Sequence, residues 1–182
     1  KHRRQRQMCI RDSNNTVLYV ATFPHLTDIS GKSNTVTRNN GTLAQALGNY
    51  DHLEYAIDDN GGSIYLDGTD DYLALPTAPT IGTSDFEISM WVHPKTLSGG
   101  DVLIDWRPQS TNGFYINFVL EDGVPKFYTN SGYKITGSSS IINDSWSYLT
   151  LTRVSGSTKL YVNGIQTGST YSDSNNLSLI HI

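Results

Sequence analysis

Hydrophobic and polar residues alternate along much of the chain, in short segments separated by turns. In the segment DFEISMWVHP, one face carries apolar side chains and the other carries polar or aromatic ones. The first face holds Phe86, Ile88, Met90 and Val92, and the second holds Glu87, Ser89, Trp91 and His93. A period of two is the pattern of a strand that buries one face. Pro94, which lacks an amide hydrogen for a neighbouring strand, marks the end of this predicted strand.

Similar segments recur along the chain, with Gly, Asn and Asp in the turns between them. They are TVLYVATF, NTVTRN, SIYLDG, DYLALP, DVLIDW, GFYINFVLEDG, VPKFYTN, WSYLTLTRV, TKLYVNG and IQTGS. Tight hairpin turns are predicted at Glu121-Asp122-Gly123, at Ser155-Gly156-Ser157 and at Asn163-Gly164. The spacing of about 8–12 residues predicts an all-β fold, an antiparallel two-sheet β-sandwich.

One segment does not follow this pattern. In GTLAQALGNYDHLEYAI, the residues Leu43, Ala46, Leu47 and Tyr50 have helical spacing, but Gly48 interrupts it. A glycine inside a short helical pattern weakens the prediction of a helix. We therefore expect a loop with one helical turn here.

The two ends of the chain are related through the genetic code. DNA that encodes LSLIHI can be written so that its reverse complement encodes MCIRD and the first two bases of a Ser or Arg codon, which matches Met8–Ser13. This inverted repeat resembles the mosaic end of transposase-based sequencing libraries. We therefore interpret Lys1–Ser13 and Leu177–Ile182 as translated adapter, as expected of an environmental sequence assembly, and Asn14–Asn176 as the native domain.

Removing these ends changes what the composition implies. The remainder has eight basic and sixteen acidic residues, which moves the net charge from −4 to −8. The basic run KHRRQR would favour a nucleic-acid-binding arm, but it lies in the interpreted adapter, and scattered cations do not favour phosphate contacts. Cys9 is the only cysteine and lies there too, which excludes disulfides and cysteine metal sites from the remainder. No apolar run approaches the roughly 20 residues of a membrane-spanning helix.

The order of the segments resembles a known family. GGSIYLDGTDDYLALP is followed by FEISMWVHP, by DVLIDW and GFYINFV, and then by WSYLTLTRVSGSTKLYVNG and IQTGS. This set resembles the laminin-G-like jelly roll of the concanavalin A-like lectin/glucanase superfamily, from about Thr16 to Tyr171. The resemblance implies a jelly-roll sandwich. It also implies one or two further strands beyond Asn176, so we expect a sheet edge without its usual partner.

The resemblance raises the question of catalysis, because glucanases of this superfamily use an E-x-D-x-x-E strand motif. A retaining pair of carboxyl groups must sit about 5–5.5 Å apart. None of the glutamates has the spacing of that motif; they are Glu54, Glu87 and Glu121. The histidines His25, His52 and His93 are isolated, and no Ser-His-Asp arrangement is indicated. We therefore expect no enzyme activity and no catalytic residue.

Calcium is the cofactor that the resemblance implies, at a loop rim built from carboxylate and carbonyl oxygens. The Asp-Asn pair expected before FYINFV in pentraxin-like relatives is Thr111-Asn112 here, and the remaining ligands would lie beyond Asn176. A separate candidate for a metal site is the acidic turn Asp67, Asp70 and Asp71. The alternative is that these carboxylates only satisfy backbone amides of the turn, where Gly68 can supply a positive φ.

The loop DWRPQSTN holds the candidates for ligand binding. Sugar sites combine an aromatic platform with planar groups that hydrogen-bond to hydroxyls. The groups of this kind in the loop are Trp106, Arg107, Gln109 and Asn112. Tyr133, after the next turn, is a weaker candidate of the same kind. The alternative is structural, with Trp106 capping the core and Arg107 pairing with Asp105.

We therefore expect a non-catalytic module that recognises a glycan or a cell-surface glycoprotein. It would belong to a longer extracellular, cell-surface or virion protein of the phage-tail or adhesin kind, with neighbouring domains as further partners. This last step relies on fold analogy. The alternatives are a structural spacer and, with less support, an accessory domain of a glycoside hydrolase.

Overall fold

The computed structural model of the protein describes residues 20–21, 27–28, 35, 37–39, 43–46, 62–74, 81–107 and 113–177. These residues form strands and turns, and no helix occurs among them. The chain divides into two compact units, Lys1–Pro79 and Thr80–Ile182. The prediction of a single domain over Asn14–Asn176 stays a prediction.

The first unit contains short strands that pair two by two. They are β1 (Val20–Ala21), β2 (Thr27–Asp28), β3 (Thr37–Asn39), β4 (Leu43–Ala46), β5 (Gly62–Tyr65) and β6 (Tyr72–Ala74). Strand β1 pairs with β2, β3 with β6, and β4 with β5, all antiparallel. The segments predicted as strands on either side of the acidic turn are thus β5 and β6.

The prediction of a helical turn after residue 40 is wrong for Leu43–Ala46. These residues form β4, in which Leu43 lies opposite Tyr65 and Ala46 opposite Gly62. A helix must fix several residues before its first hydrogen bond forms. Because Gly48 follows so closely, the helical pattern of apolar residues is too short to offset that cost. A neighbouring strand, by contrast, supplies hydrogen bonds at once. Leu47, Gly48 and Tyr50 themselves lie outside the described residues.

The second unit contains two four-stranded antiparallel sheets that form a sandwich. Its strands are β7 (Phe86–Val92), β8 (Gly100–Asp105), β9 (Asn117–Glu121), β10 (Val124–Thr129), β11 (Gly132–Thr136), β12 (Ser147–Val154), β13 (Ser157–Val162) and β14 (Ile165–Ser172). Sheet I has the order β14-β13-β12-β7, and sheet II has the order β11-β10-β9-β8. This confirms the predicted antiparallel two-sheet sandwich.

The core lies between the inner faces of the two sheets, as the alternation predicts. Its buried apolar residues are Ile116, Phe118, Leu120, Phe127, Ile135, Ile141, Leu149, Leu151, Leu160 and Leu177. Phe86, Ile88 and Val162 pack against this cluster. Full burial of a side chain such as Phe118 contributes about 1.5–3 kcal/mol. Because residues at odd and even positions alternate, the neighbours of these core residues lie on the outward faces of the sheets.

The predicted hairpin turns are confirmed in their backbone geometry. Asp122 and Gly123, Ser155 and Gly156, and Asn163 and Gly164 all have positive φ. Two consecutive residues with positive φ define the primed turn that matches the twist of a tight hairpin. These turns set which residues of the joined strands face each other.

The end of the described chain contributes to the core. Leu177 is 4% exposed, and its backbone exchanges hydrogen bonds of 2.9 and 3.0 Å with Gly82. The interpretation of Leu177–Ile182 as translated adapter concerns the DNA and stays a prediction, as does the missing last strand. Lys1–Ser13 and residues 178–182 lie outside the described residues.

Candidate functional site

Trp106 and Arg107, at the end of β8, have different environments. The Trp106 backbone N–H donates to the Ile116 carbonyl oxygen at 2.8 Å, and its half-buried indole packs against the core. Arg107 is exposed and forms an ion pair with Asp105. Trp106 thus caps the core and Arg107 pairs with Asp105, which is the structural alternative to ligand binding given for both residues. Their role in ligand binding stays a prediction.

The Asp105–Arg107 ion pair is fixed by several hydrogen bonds. Arg107 Nε donates to both carboxylate oxygens at 2.8 and 2.9 Å, and the Arg107 backbone N–H donates to Oδ1 at 2.9 Å. Burial by itself would raise the pKa of the Asp105 carboxyl. The hydrogen bonds and the positive charge of Arg107 outweigh that effect and hold the pKa below its ordinary value of 3.8. Both groups are therefore charged at neutral pH.

Asp105 begins a row of side chains that crosses all four strands of sheet II. Asp105 on β8 lies opposite Asn117 on β9, Asn117 lies opposite Tyr128 on β10, and Tyr128 lies opposite Tyr133 on β11. Directly opposite residues of antiparallel strands project to the same face. Phe118, which follows Asn117 on β9, points into the core. Since successive residues of a strand point to opposite faces, the row that contains Asn117 faces away from sheet I. We name these four residues the tyrosine row.

Asn117 is the member of the tyrosine row whose polar groups are least satisfied. It is 5% exposed, and its Nδ2 has no hydrogen-bond partner among the described residues. Its side chain does lie close enough to Asp105 to help lower the pKa of that carboxyl. An unsatisfied buried donor costs about 1–3 kcal/mol.

The aromatic rings of this face contact one another in sequence. The Tyr115 and Tyr128 rings stack with centroids 6.1 Å apart, and the Tyr128 and Tyr133 rings meet edge-on at 5.3 Å. Tyr115 is buried, which raises the pKa of its hydroxyl, whereas Tyr133 is 47% exposed. The series thus runs from a buried ring to one that is open to a ligand.

Lys126 adds a cation beside the exposed end of the row. Its Nζ lies 4.6 Å from the centroid of the Tyr133 ring and forms an ion pair with Glu121. The hydrogen bond with Glu121 raises the pKa of Lys126. Each carboxylate at this face, Asp105 and Glu121, therefore has a cation beside it, and the face carries no net charge from these four groups.

The predicted site residues are only partly brought together. Arg107 and Tyr133 belong to the same face of sheet II, while Trp106 packs on the core side. Gln109 and Asn112 lie outside the described residues. Sequence reasoning missed Asn117 and Lys126, and it did not predict strand β11. A signal for that strand was present, because a turn at Asn130-Ser131 precedes the alternating Tyr133 and Ile135.

The acidic turn of the first unit also has a defined geometry. One ligand atom from each of Asp67, Asp70 and Asp71 lies within 4.8 Å of the others. The Thr69 backbone N–H donates to Asp67 Oδ1 at 2.8 Å, and the Asp67 backbone N–H donates to Asp71 Oδ2 at 3.0 Å. Asp71 Oδ1 is buried and has no hydrogen-bond partner among the described residues. The turn therefore contains both the predicted Asx-turn chemistry and one free carboxylate oxygen.

The two glutamates among the described residues do not form a pair of the glucanase kind. Glu87 lies on β7 of sheet I and accepts a hydrogen bond from Ser89 Oγ at 3.1 Å. Glu121 lies on β9 of sheet II beside Lys126. Because they belong to different sheets and point outward, they do not flank one bond as a retaining pair must. Glu54 lies outside the described residues.

The fold is a jelly-roll β-sandwich, and the outward face of its second sheet carries aromatic, amide and carboxylate groups. Residues 67–179 match a laminin G family model of the concanavalin A-like lectin/glucanases superfamily. The chain belongs to this superfamily, which confirms the resemblance found in the sequence. A comparison with curated protein sequences gave no significant match.

Three solved structures share the fold. Domain 4 of AbnA, a GH43 extracellular arabinanase from Geobacillus stearothermophilus in complex with arabinotriose, has a TM-score of 0.58 and 19% identity over 84% of this chain and 72% of that chain. The binding domain of botulinum neurotoxin DC, in complex with rat synaptotagmin II, has a TM-score of 0.58 and 16% identity over 89% and 41%. Botulinum neurotoxin type C, whose cell entry depends on two ganglioside molecules, has a TM-score of 0.53 and 14% identity over 91% and 43%.

At these identities the likeness establishes the fold. These neighbours bind carbohydrate or protein, and the chain spans less than half of the two neurotoxin chains. No helix among the described residues is long and apolar enough to cross a membrane.

Proposed function

We propose that the chain is a non-catalytic binding or adhesion module that recognises carbohydrate or a surface glycoprotein through the tyrosine row. The observation that carries this proposal is the Tyr133 ring, which is 47% exposed at the end of the row and contacts the Tyr128 ring and the Lys126 ammonium group. An aromatic ring left in water beside polar groups suits a ligand that has both apolar and polar parts.

The chemistry of the face suits a sugar. A sugar ring presents C–H bonds on one side, which pack on an aromatic ring such as Tyr133, and hydroxyls at its edge, which need donors and acceptors. Arg107 and Lys126 offer N–H donors, and Asp105 offers acceptor oxygens. The paired charges of Arg107 and Lys126 leave the face neutral, which favours a neutral sugar over an anionic one.

The setting that we propose is a longer extracellular or phage tail-like protein, at a cell surface or on a virion. The extracellular arabinanase neighbour, of which the similar part is one domain, supports this setting. The partners would be a glycan or a cell-surface protein and the adjoining domains of the longer chain, and the acidic net charge argues against nucleic acid. An accessory domain of a glycoside hydrolase is the second candidate, favoured by the same neighbour. A structural spacer would not need the exposed Tyr133 ring.

Replacing Tyr133 by alanine is expected to weaken glycan binding at least about tenfold, which corresponds to about 1.4 kcal/mol. The loss follows because the exposed ring supplies the stacking surface. A glycan array first identifies a ligand, with arabinotriose included as a probe, and calorimetric titration then gives the dissociation constants.

Val102→Ala is the matched control for this experiment. Val102 is 53% exposed on β8 and lies opposite Val119, in the row next to the tyrosine row. Its replacement removes apolar surface from the same sheet face and should leave affinity unchanged. Wild-type affinity in Tyr133→Ala would rule out the tyrosine row as the site. A wild-type protein that binds no glycan on the array would favour the spacer.

Calcium at the acidic turn is a further proposal, with Asp67, Asp70 and Asp71 as the residues that would hold the ion. The free Asp71 Oδ1 supports it, since Ca²⁺ takes carboxylate oxygens. Calcium at about a hundred times its dissociation constant should stabilise the chain by about 2.7 kcal/mol. Scanning calorimetry with and without calcium measures this shift, which Asp71→Asn should abolish and Asp101→Asn should not. An equal shift in Asp71→Asn would refute the site.

A further inference from the structure

The outward face of sheet I carries a second set of aromatic rings. Trp91 on β7 lies opposite Tyr148 on β12, with ring centroids 5.2 Å apart. His93 and Trp146, just beyond the ends of the two strands, form a second contact at 5.1 Å. Two residues along a strand advance about 7 Å, so the two ring pairs follow one another along the strands. We name these four residues the aromatic ladder.

Trp91 is the open part of the ladder. It is 62% exposed, while His93, Trp146 and Tyr148 are half-buried. A tryptophan has the largest apolar surface of any residue, and leaving it in water is unfavourable. Tyr148 contacts Trp91 at an interplanar angle of 42°, and His93 contacts Trp146 at 65°, so the two ring pairs present aromatic edges and faces on this side of sheet I.

Polar groups lie directly beside the ladder. The next row across sheet I consists of Ser89, Thr150, Tyr161 and Gln166, one from each strand. These residues offer hydroxyls and an amide rather than aliphatic side chains. A surface with rings on one side and small hydrogen-bonding groups on the other matches a ligand that has C–H faces and hydroxyl edges.

The charges around the ladder balance. Lys95 pairs with Asp144 at 2.9 Å near the His93 end, and both side chains are exposed. At the other end, Glu87 and Lys159 both lie opposite Thr152 and on the same face. No cluster of cations is present on this face within the described residues, as a phosphate backbone or a sulfated glycan would require.

We propose that the aromatic ladder is a second binding site, for a linear neutral oligosaccharide that lies along β7 and β12. The site is on the opposite sheet from the tyrosine row and does not depend on it. Hot spots for protein partners are packed pockets sealed from water, whereas the ladder is an open sheet face bordered by hydroxyls. A module with a site on each sheet would engage a polysaccharide in two places, which raises its apparent affinity without new contacts.

The experiment follows the indole N–H signals of the three tryptophans by NMR in the Tyr133→Ala variant, so that the tyrosine row cannot contribute. The probes are cellotetraose, xylotetraose and arabinotriose. We expect at least one of them to shift the Trp91 and Trp146 signals with one dissociation constant and to leave the core-facing Trp106 signal in place. Adding Trp91→Ala should weaken that binding at least tenfold.

Val154→Ala is the control, because Val154 is 58% exposed and lies on the same face at the far end of β12. It should bind as well as the parent variant. The proposal is overturned if none of the three probes shifts the Trp91 signal, or if the shift depends on Tyr133. It is also overturned if the signal moves with protein concentration instead of sugar, which would make the ladder a contact between copies. Failure of the tyrosine row appears separately, as wild-type affinity in Tyr133→Ala.

Discussion

Replacing Arg153 by leucine is expected to lower the free energy of unfolding by about 3–5 kcal/mol. The Arg153 and Asp173 side chains are both 0% exposed, and they pair at 3.3 Å. Arg153 also donates to the carbonyl oxygens of Gly82, Ser84 and Asn175 at 2.7–3.0 Å. The variant leaves the buried Asp173 carboxylate without its cation and removes one donor from each of the Gly82, Ser84 and Asn175 carbonyl oxygens.

Urea unfolding followed by tryptophan fluorescence measures this change, because all three tryptophans of the chain lie in the Thr80–Ile182 unit. Lys95→Ala is the matched control. Lys95 pairs with Asp144, but both side chains are 66% exposed, and such pairs contribute about 0–1 kcal/mol. If the two variants lost the same free energy, the buried pair would not hold the segments together as described.

The role of Arg153 shows what the sequence alone could not give. The block that runs from Trp146 to Arg153 and on to LYVNG was visible and carried part of the family resemblance. Its arginine follows the alternation of β12 into the interior, where a charge is not expected. Only the structure brings the carbonyl groups near residue 83 and Asp173 to one place, since they are about 90 residues apart in the chain.

The strands of the sandwich could be predicted because their signal is local. Alternation placed Phe86, Ile88 and Phe118 on the inner faces, and the turn residues Asn163 and Gly164 fixed a hairpin. Each of these inferences needs only a few neighbouring residues. The errors arose where the local signal was short, as at Leu43–Ala46, where pairing with β5 decides the structure.

The tyrosine row could not be predicted because it depends on the register of four strands. The register of β8 on β9 shifts between Val102 and Ile104, and that of β10 on β11 shifts between Phe127 and Tyr128. A bulge adds one residue on one strand and so changes which side chains share a face. Sequence reasoning identified Tyr133 but could not place Asn117 in the same row.

The aromatic ladder was closer to prediction. Alternation in DFEISMWVHP already placed Trp91 and His93 on the polar face of β7. A tryptophan is unusual on that face if its side chain contacts only water. The partners Tyr148 and Trp146 came from a strand more than 50 residues away, and their pairing required the structure.

Replacing Gly168 by alanine is expected to cost about 2–5 kcal/mol of the free energy of unfolding, from left-handed strain and from overpacking together. Gly168 lies on β14 with φ of +69°, and a Cβ there would lie 2.3 Å from the Thr136 carbonyl oxygen and 2.9 Å from Ile135 Cγ2. Thr136 is on β11, so this is the place where the edge of sheet I approaches the edge of sheet II. The backbone oxygen cannot move away without opening that edge.

Gly164→Ala separates the two causes. Gly164 has φ of +82°, but a Cβ there would meet nothing within 4 Å, so only the conformational cost of about 1–2 kcal/mol applies. The same fluorescence-detected urea unfolding compares the two variants. The larger loss in Gly168→Ala then measures how closely the two sheets approach at this edge. Equal losses would mean that β11 and β14 separate easily, and that the sandwich is closed by its core rather than by this backbone contact.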